Sequence, residues 1–141
     1  MKKTWPEGFE VHEARASGIT GKERIRRARA DFLSLRYHLA LESLQAGVGG
    51  APIAQALLEM TLGTVMLAEA GFEVLDNASA SKSISVVRRL VTAGRAHGIW
   101  HPDQEAVSVL RRTVCVHDSQ LQTVPLDILE AVFAAIRHLA N

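Results

Sequence analysis

One cysteine, Cys115, stands in 141 residues. No disulfide can close within the chain, and such usage fits a reducing compartment. Aromatic residues make up only 5%, so any core has to be assembled from Leu, Val, Ile and Ala. No apolar run reaches the ~18 uninterrupted residues that span a bilayer. The opening MKKTWPEGF puts two lysines before no apolar stretch, unlike a secretory leader, and the expectation is a cytoplasmic protein with no membrane partner. Net charge is nearly absent, with 16 Lys and Arg against 15 Asp and Glu, so there is no overall footprint for duplex DNA. There is no phosphate-cradling glycine loop, dinucleotide fingerprint, nucleophile elbow, HExxH or cysteine pair. His97 and His101 are four apart, but Gly98 and Pro102 break the helix that would place them on one face. No metal or other cofactor is expected.

What the chain does contain is helical periodicity. Residues 1–19 carry Pro6, Gly8 and Gly18 without sustained period and read as an arm or loop that Trp5 and Phe9 could pin to the body. Residues 20–141 read as a single helical-bundle domain, long enough to bury roughly two-thirds of its unfolded surface. Thr20-Gly21-Lys22-Glu23 has the pattern of a capping box. It opens a helix over about 20–46, on which Ile25, Ala28, Phe32, Leu35 and Leu39 form one apolar stripe of the kind that faces a core. Gly47 is the expected stop. Pro52 suits the first turn of a second helix over about 52–70. That helix is apolar nearly all round, which makes it either the centre of the bundle or a surface for a second subunit. A third helix spans about 80–97, capped by an Asn or Ser of the preceding loop, with Ile84, Val87, Leu90, Val91 and Gly94 on one face. The fourth begins at Pro102, carries the stripe Val107, Leu110 and Val114, and ends near Ser119. The last covers about 125–140, with Leu126, Leu129, Phe133 and Ile136 inward. Short connections make neighbours antiparallel, so the expected fold is all-α, an up-down bundle of four to five helices.

Charge alternates along the chain. Lys22, Arg24, Arg26, Arg27, Arg29 and Arg36 against Glu23 and Asp31 make residues 20–40 basic. Residues 41–79 hold five acids and no Lys or Arg. Arg88, Arg89, Arg95, Arg111 and Arg112 turn residues 80–120 basic again. Brought together, the basic segments would form one positive face, with Arg24, Arg27 and Arg111 as candidate nucleic-acid contacts. Arginines in the first turns oppose the helix dipole, so they either serve a use for positive charge or meet a carboxylate on another helix.

The stretch VSVLRRTVCVHD, residues 107–118, holds the one constellation with chemical potential. Arg112 and His117 are five residues apart, about 140° around a straight helix with roughly 7.5 Å of rise. They converge only if the helix distorts, the arginine reaches around, or a second subunit completes the site. His117 also continues the Val107-Leu110-Val114 stripe, which reads as a histidine at the core edge bonded to a backbone group. Cys115, in an apolar run, reads as a small core residue.

The segment LRRTVCVHD, on the penultimate helix and followed by a short loop and a final apolar helix, resembles the Arg-polar-x-x-x-His motif of the HEPN superfamily of small helical bundles. The resemblance implies a homodimer directed at RNA, either a metal-independent ribonuclease of toxin or defence type or an inactive relative. Arg112 would then stabilise the phosphate and His117 would assist proton transfer. The family usually carries Asn, Asp or His after the arginine, where this chain has Thr113. From the residues alone, the other reading is a non-enzymatic helical interaction or dimerisation module of unknown partner, a second copy or an acidic protein being the candidates, whose working surface is an exposed apolar patch on the second helix over 53–67.

Overall fold

The computed structural model describes residues 21–140, with side chains from 26 to 139. The arm at 1–19, the Thr20 capping box and the side chain of Arg24 lie outside the described residues. Five helices follow one another: α1 (Gly21–Gln45), α2 (Ala51–Glu69), α3 (Asn77–His97), α4 (Gln104–Thr123) and α5 (Leu126–Ala140), with no strand among the described residues. The all-α bundle expected from periodicity is the fold observed.

The helix with no polar face is the central one, and none of its residues 53–67 is exposed, so it is not the working surface that an interaction module built on this helix would require. α2 packs against α1, α3, α4 and α5. Its length and composition are those of a membrane-crossing segment, yet Ala54, Leu57, Met60, Thr64 and Leu67 are covered by the other four helices. The two core threonines satisfy their hydroxyls within the helix: Thr61 Oγ1 donates to the Leu57 carbonyl and Thr64 Oγ1 to that of Met60, both at 2.8 Å. Such bonding leaves no unmet donor in apolar surroundings, where each would cost about 1–3 kcal/mol.

Helix ends follow local chemistry, with three corrections to the expected boundaries. Asp76, rather than an Asn or Ser, caps α3 by accepting from Ser79 N at 2.7 Å, so the helix starts three residues earlier than its apolar period indicates. α4 begins at Gln104 rather than at Pro102, with Asp103 as its cap, accepting from Ala106 N at 2.8 Å. α4 runs on to Thr123 instead of stopping near Ser119, because Gln120, Leu121 and Val124 continue its buried face. Gly71, at φ 99°, ends α2. The Phe72 and Gly71 amides turn back onto the carbonyls of Leu67 and Ala68, a Schellman closure that requires a left-handed residue.

The larger correction concerns α1. The stripe Phe32, Leu35, Leu39 does not enter the core; these side chains are 59, 59 and 55% exposed. The buried face is Ala30, Leu33, Tyr37, Ala40, Leu41 and Leu44, nearly opposite on the helical wheel. α1 carries two apolar faces with the same period, and the one holding the tyrosine and three leucines is the one packed on α2 and α4.

Candidate functional site

α4 carries His117 directly into the bundle, where it is 0% exposed. Its Nδ1 lies 3.1 Å from Thr64 Oγ1 and 3.2 Å from Gln120 Oε1. The Gln120 amide is oriented by two carbonyls, its Nε2 donating to Thr64 O at 2.8 Å and Phe72 O at 3.0 Å. That leaves Gln120 Oε1 facing the imidazole as an acceptor, and the Thr64 hydroxyl proton is directed to Met60 O. His117 therefore carries its proton on Nδ1 and donates. Its Nε2 is a buried lone pair with no hydrogen-bond partner among the described residues. The rings of Tyr37 and Phe133 stand edge-on to the imidazole at 5.4 and 6.1 Å between centroids. Burial drives the imidazole pKa down to about 4, against smaller opposing effects of the Gln120 hydrogen bond and the Asp118 charge. Burial likewise pushes the Tyr37 phenol up to about 12. His117 lies deeper than the expected core edge, and its partners are side chains of α2 and α4 rather than a backbone group.

Arg112 is on another face. It is exposed, makes no hydrogen bond or ion pair among the described residues, and borders two open surface depressions. One is shared with Gln45, Ser108, Arg111 and Cys115, the other with Lys82, Ser83 and Thr113. Neither includes His117. Within this chain α4 stays helical between the two residues, so the angular separation of five steps is kept and they do not share a cleft. Cys115 is exposed, contrary to its reading as a core residue, because it sits on the Arg111–Arg112 side of α4. Asp118, next to His117 in sequence, points toward α1 instead, accepting from Ser34 Oγ at 2.7 Å and bonding His38 Nε2 at 2.6 Å. This Ser-Asp-His trio is not a nucleophilic array, because the serine donates to the carboxylate and does not face the imidazole. Its signal in the sequence was the four-residue spacing of Ser34 and His38 on α1.

Several of the basic side chains are engaged within the bundle. Arg111 bonds Glu42 at 3.2 Å and Gln45 at 3.0 Å. Lys82 pairs with Glu105 at 2.7 Å and Arg89 with Asp103 at 3.2 Å. The Arg26 guanidinium donates to the carbonyls of Leu121 and Gln122 at 3.1 and 2.8 Å. An arginine that is unfavourable at the start of α1 is thus placed at the C-terminal end of α4, where the dipole favours it. Arg27 is exposed on α1. Among the described residues no three His, Cys, Asp or Glu side chains converge as a metal site would require.

The surface feature that periodicity pointed to, but placed inside, is the outer face of α1. Beside the Phe32-Leu35-Leu39 ridge runs a groove of about 470 Å³ toward α2, lined also by Arg36, Ala40, Ser43, Pro52, Ile53 and Ala56. Arg36 lies 5.7 Å from the Tyr37 ring centroid and makes no ion pair among the described residues. The α2 residues of the groove are uncharged. Chemically the face offers a continuous apolar strip with one arginine at its edge and no proton-transfer group.

Comparison of the chain with protein-family models, with curated proteins and with solved structures gives no match.

Proposed function

We propose that this chain is a non-enzymatic helical interaction module whose working surface is the outer face of α1 with the adjoining groove, and that it docks an amphipathic, acid-bearing protein segment. The observation that carries the reading is the ridge of Phe32, Leu35 and Leu39, each more than half exposed and turned away from the core. Contiguous apolar patches on a folded chain commonly mark interaction sites. Covering these three side chains would contribute about 3–5 kcal/mol before the cost of association. Arg36 at the edge favours a carboxylate on the incoming segment. An antiparallel pairing of two α1 helices across the groove would bring Arg36 of each copy toward the other's Arg36 and Arg29, like charges at close range. That disfavours a homodimer through this face. An RNA backbone calls for a row of cations, where this face is mostly apolar and has one arginine. The buried, neutral His117 also supports a module over a ribonuclease, because general acid-base work requires the imidazole within reach of the reacting group.

Fluorescence anisotropy tests the reading with two dye-labelled 18-residue amphipathic helices, one Leu/Glu and one Leu/Lys. The Leu/Glu peptide is expected to bind saturably, with Leu35→Glu weakening it at least about tenfold and Arg36→Glu shifting preference to the Leu/Lys peptide. Indistinguishable binding of both peptides to the wild type, or binding undiminished in Leu35→Glu, refutes it. In parallel, RNA cleavage in EDTA that is present in the wild type and lost in His117→Ala would return the protein to the ribonuclease reading.

A further inference from the structure

The outer ridge of α1 is regularly spaced as well as apolar. We propose that the partner docking there is a single helix paired with α1 in heptad register, with two carboxylates seven residues apart meeting Arg29 and Arg36. This rests on the reading of that face as a docking surface and names the chemistry and geometry of its occupant.

Spacing is the first argument. Ala28, Phe32, Leu35 and Leu39 follow one another at steps of four, three and four, the alternation of a coiled-coil seam, and all four are exposed. Phe32, Leu35, Arg36 and Leu39 stand at i, i+3, i+4 and i+7, the four corners of a hole that takes one side chain from a facing helix. Arg36, Leu39, Ala40 and Ser43 form the next hole, four residues on, and every one of these side chains borders the groove. Ala40 and Ala56 line it while buried, and such small residues leave room for a large apolar side chain from outside. The occupant's own backbone points the same way. Against an apolar groove between two helices, an extended segment finds no ladder for its amides and carbonyls, whereas a helix satisfies its own.

Charge is the second argument. Arg29 and Arg36 are both exposed, and neither makes an ion pair among the described residues. Seven residues set them about 10.5 Å apart along the axis and within about 20° around it, so Arg29 continues the flank on which Arg36 borders the groove. A partner helix has the same repeat. One carboxylate and a second seven residues on therefore meet both guanidiniums in a single register. A second copy pairing through the same face does not supply these two acids. From residue 26 onward the acids of α1 are Asp31 and Glu42, and Glu42 is engaged by Arg111, which leaves one carboxylate for two arginines.

Fluorescence anisotropy of the full chain with dye-labelled heptad peptides tests the register. Two peptides share Leu at every seam position and differ only in two glutamates, placed seven residues apart on one flank or five apart on opposite flanks. The first is expected to bind the wild type about threefold more tightly, and Arg29→Gln to erase the difference. A third peptide is the first with proline at a central outward position. It keeps every contacting side chain but not the helix, and is expected to bind at least about tenfold more weakly. Equal binding of the two glutamate spacings, or undiminished binding of the proline peptide, overturns the heptad helix. The docking-face reading then stands on the loss of both glutamate peptides in Leu35→Glu.

Saturable binding of none of the peptides overturns the heptad helix and the docking face together. Light scattering covers the remaining occupant. The molar mass of the full chain is expected to be the same in the wild type and in Leu35→Glu; a wild-type dimer that Leu35→Glu converts to monomer puts a second copy on this face and overturns the separate helix.

Discussion

Substituting His117 by Asn turns the buried imidazole into a measurable pH dependence. The imidazole titrates near 4 in the folded chain, lowered from 6.5 chiefly by burial. The unfolded chain therefore takes up the proton first as pH falls. Stability from this residue is complete above about pH 6.5 and declines from there toward pH 4, at up to about 1.4 kcal/mol per pH unit. The full window corresponds to about 3 kcal/mol. Asn offers an amide N–H near the place of Nδ1–H, so the Gln120 acceptor keeps a donor, but it does not titrate and it fills less space. At pH 7.5 the variant is expected to be less stable by about 2–3 kcal/mol, from lost contacts with Tyr37 and Phe133. By pH 5 the wild type has lost about 2 kcal/mol that the variant does not lose, and the gap nearly closes. Urea unfolding at pH 7.5, 6.5, 5.5 and 5.0 reads the difference directly. Parallel loss of stability in both proteins would refute a buried neutral imidazole and with it the case against His117 acting at a surface.

Two further outcomes follow from the packing. Leu33→Ala and Leu35→Ala, two residues apart on α1, should separate sharply: about 2–5 kcal/mol lost at Leu33, which is 5% exposed, and about 1 kcal/mol or less at Leu35, which is 59% exposed; equal losses by urea unfolding would mean that α1 is turned the other way. Gly94→Ala should destabilise the protein by about 1–2 kcal/mol despite the better helix propensity of Ala, because a methyl there would meet the Trp100 ring at 2.1 Å; a raised Tm with an unchanged Trp100 emission spectrum would overturn that packing.

Much of the fold was legible because its signals are local. Pro52 in the first turn of α2, Gly47 past the end of α1, and the 3.6-residue period of Val107, Leu110 and Val114 act within a few residues of chain and need no tertiary partner to be read. The same stripe, extended ten residues to His117, placed the histidine at the core before its partners were known. Its partners were not legible. Thr64 lies 53 positions from His117, and the Phe72 carbonyl that orients Gln120 lies 48 positions from that glutamine, and nothing local marks a threonine or a turn carbonyl as the other end of a hydrogen-bond network. The caps were missed for a related reason: Asp, Asn and Ser all satisfy an open amide, and Asn77, Ser79 and Asp76 competed at the same helix start.

By itself the sequence determined that the chain forms four to five helices joined by short connections, that the second has no polar side, and that His117 lies on the apolar side of α4. Each of these follows from the chemistry of neighbouring residues. Only the tertiary structure decided which face of α1 is buried. Leu33-Tyr37-Leu41-Leu44 and Phe32-Leu35-Leu39 have equivalent periods, and the choice between them rests on the fit of whole side chains against α2 and α4, a property of the assembled surface and not of either stripe. That choice leaves the second stripe in solvent, separates Arg112 from His117, and creates the face on which the proposed function rests.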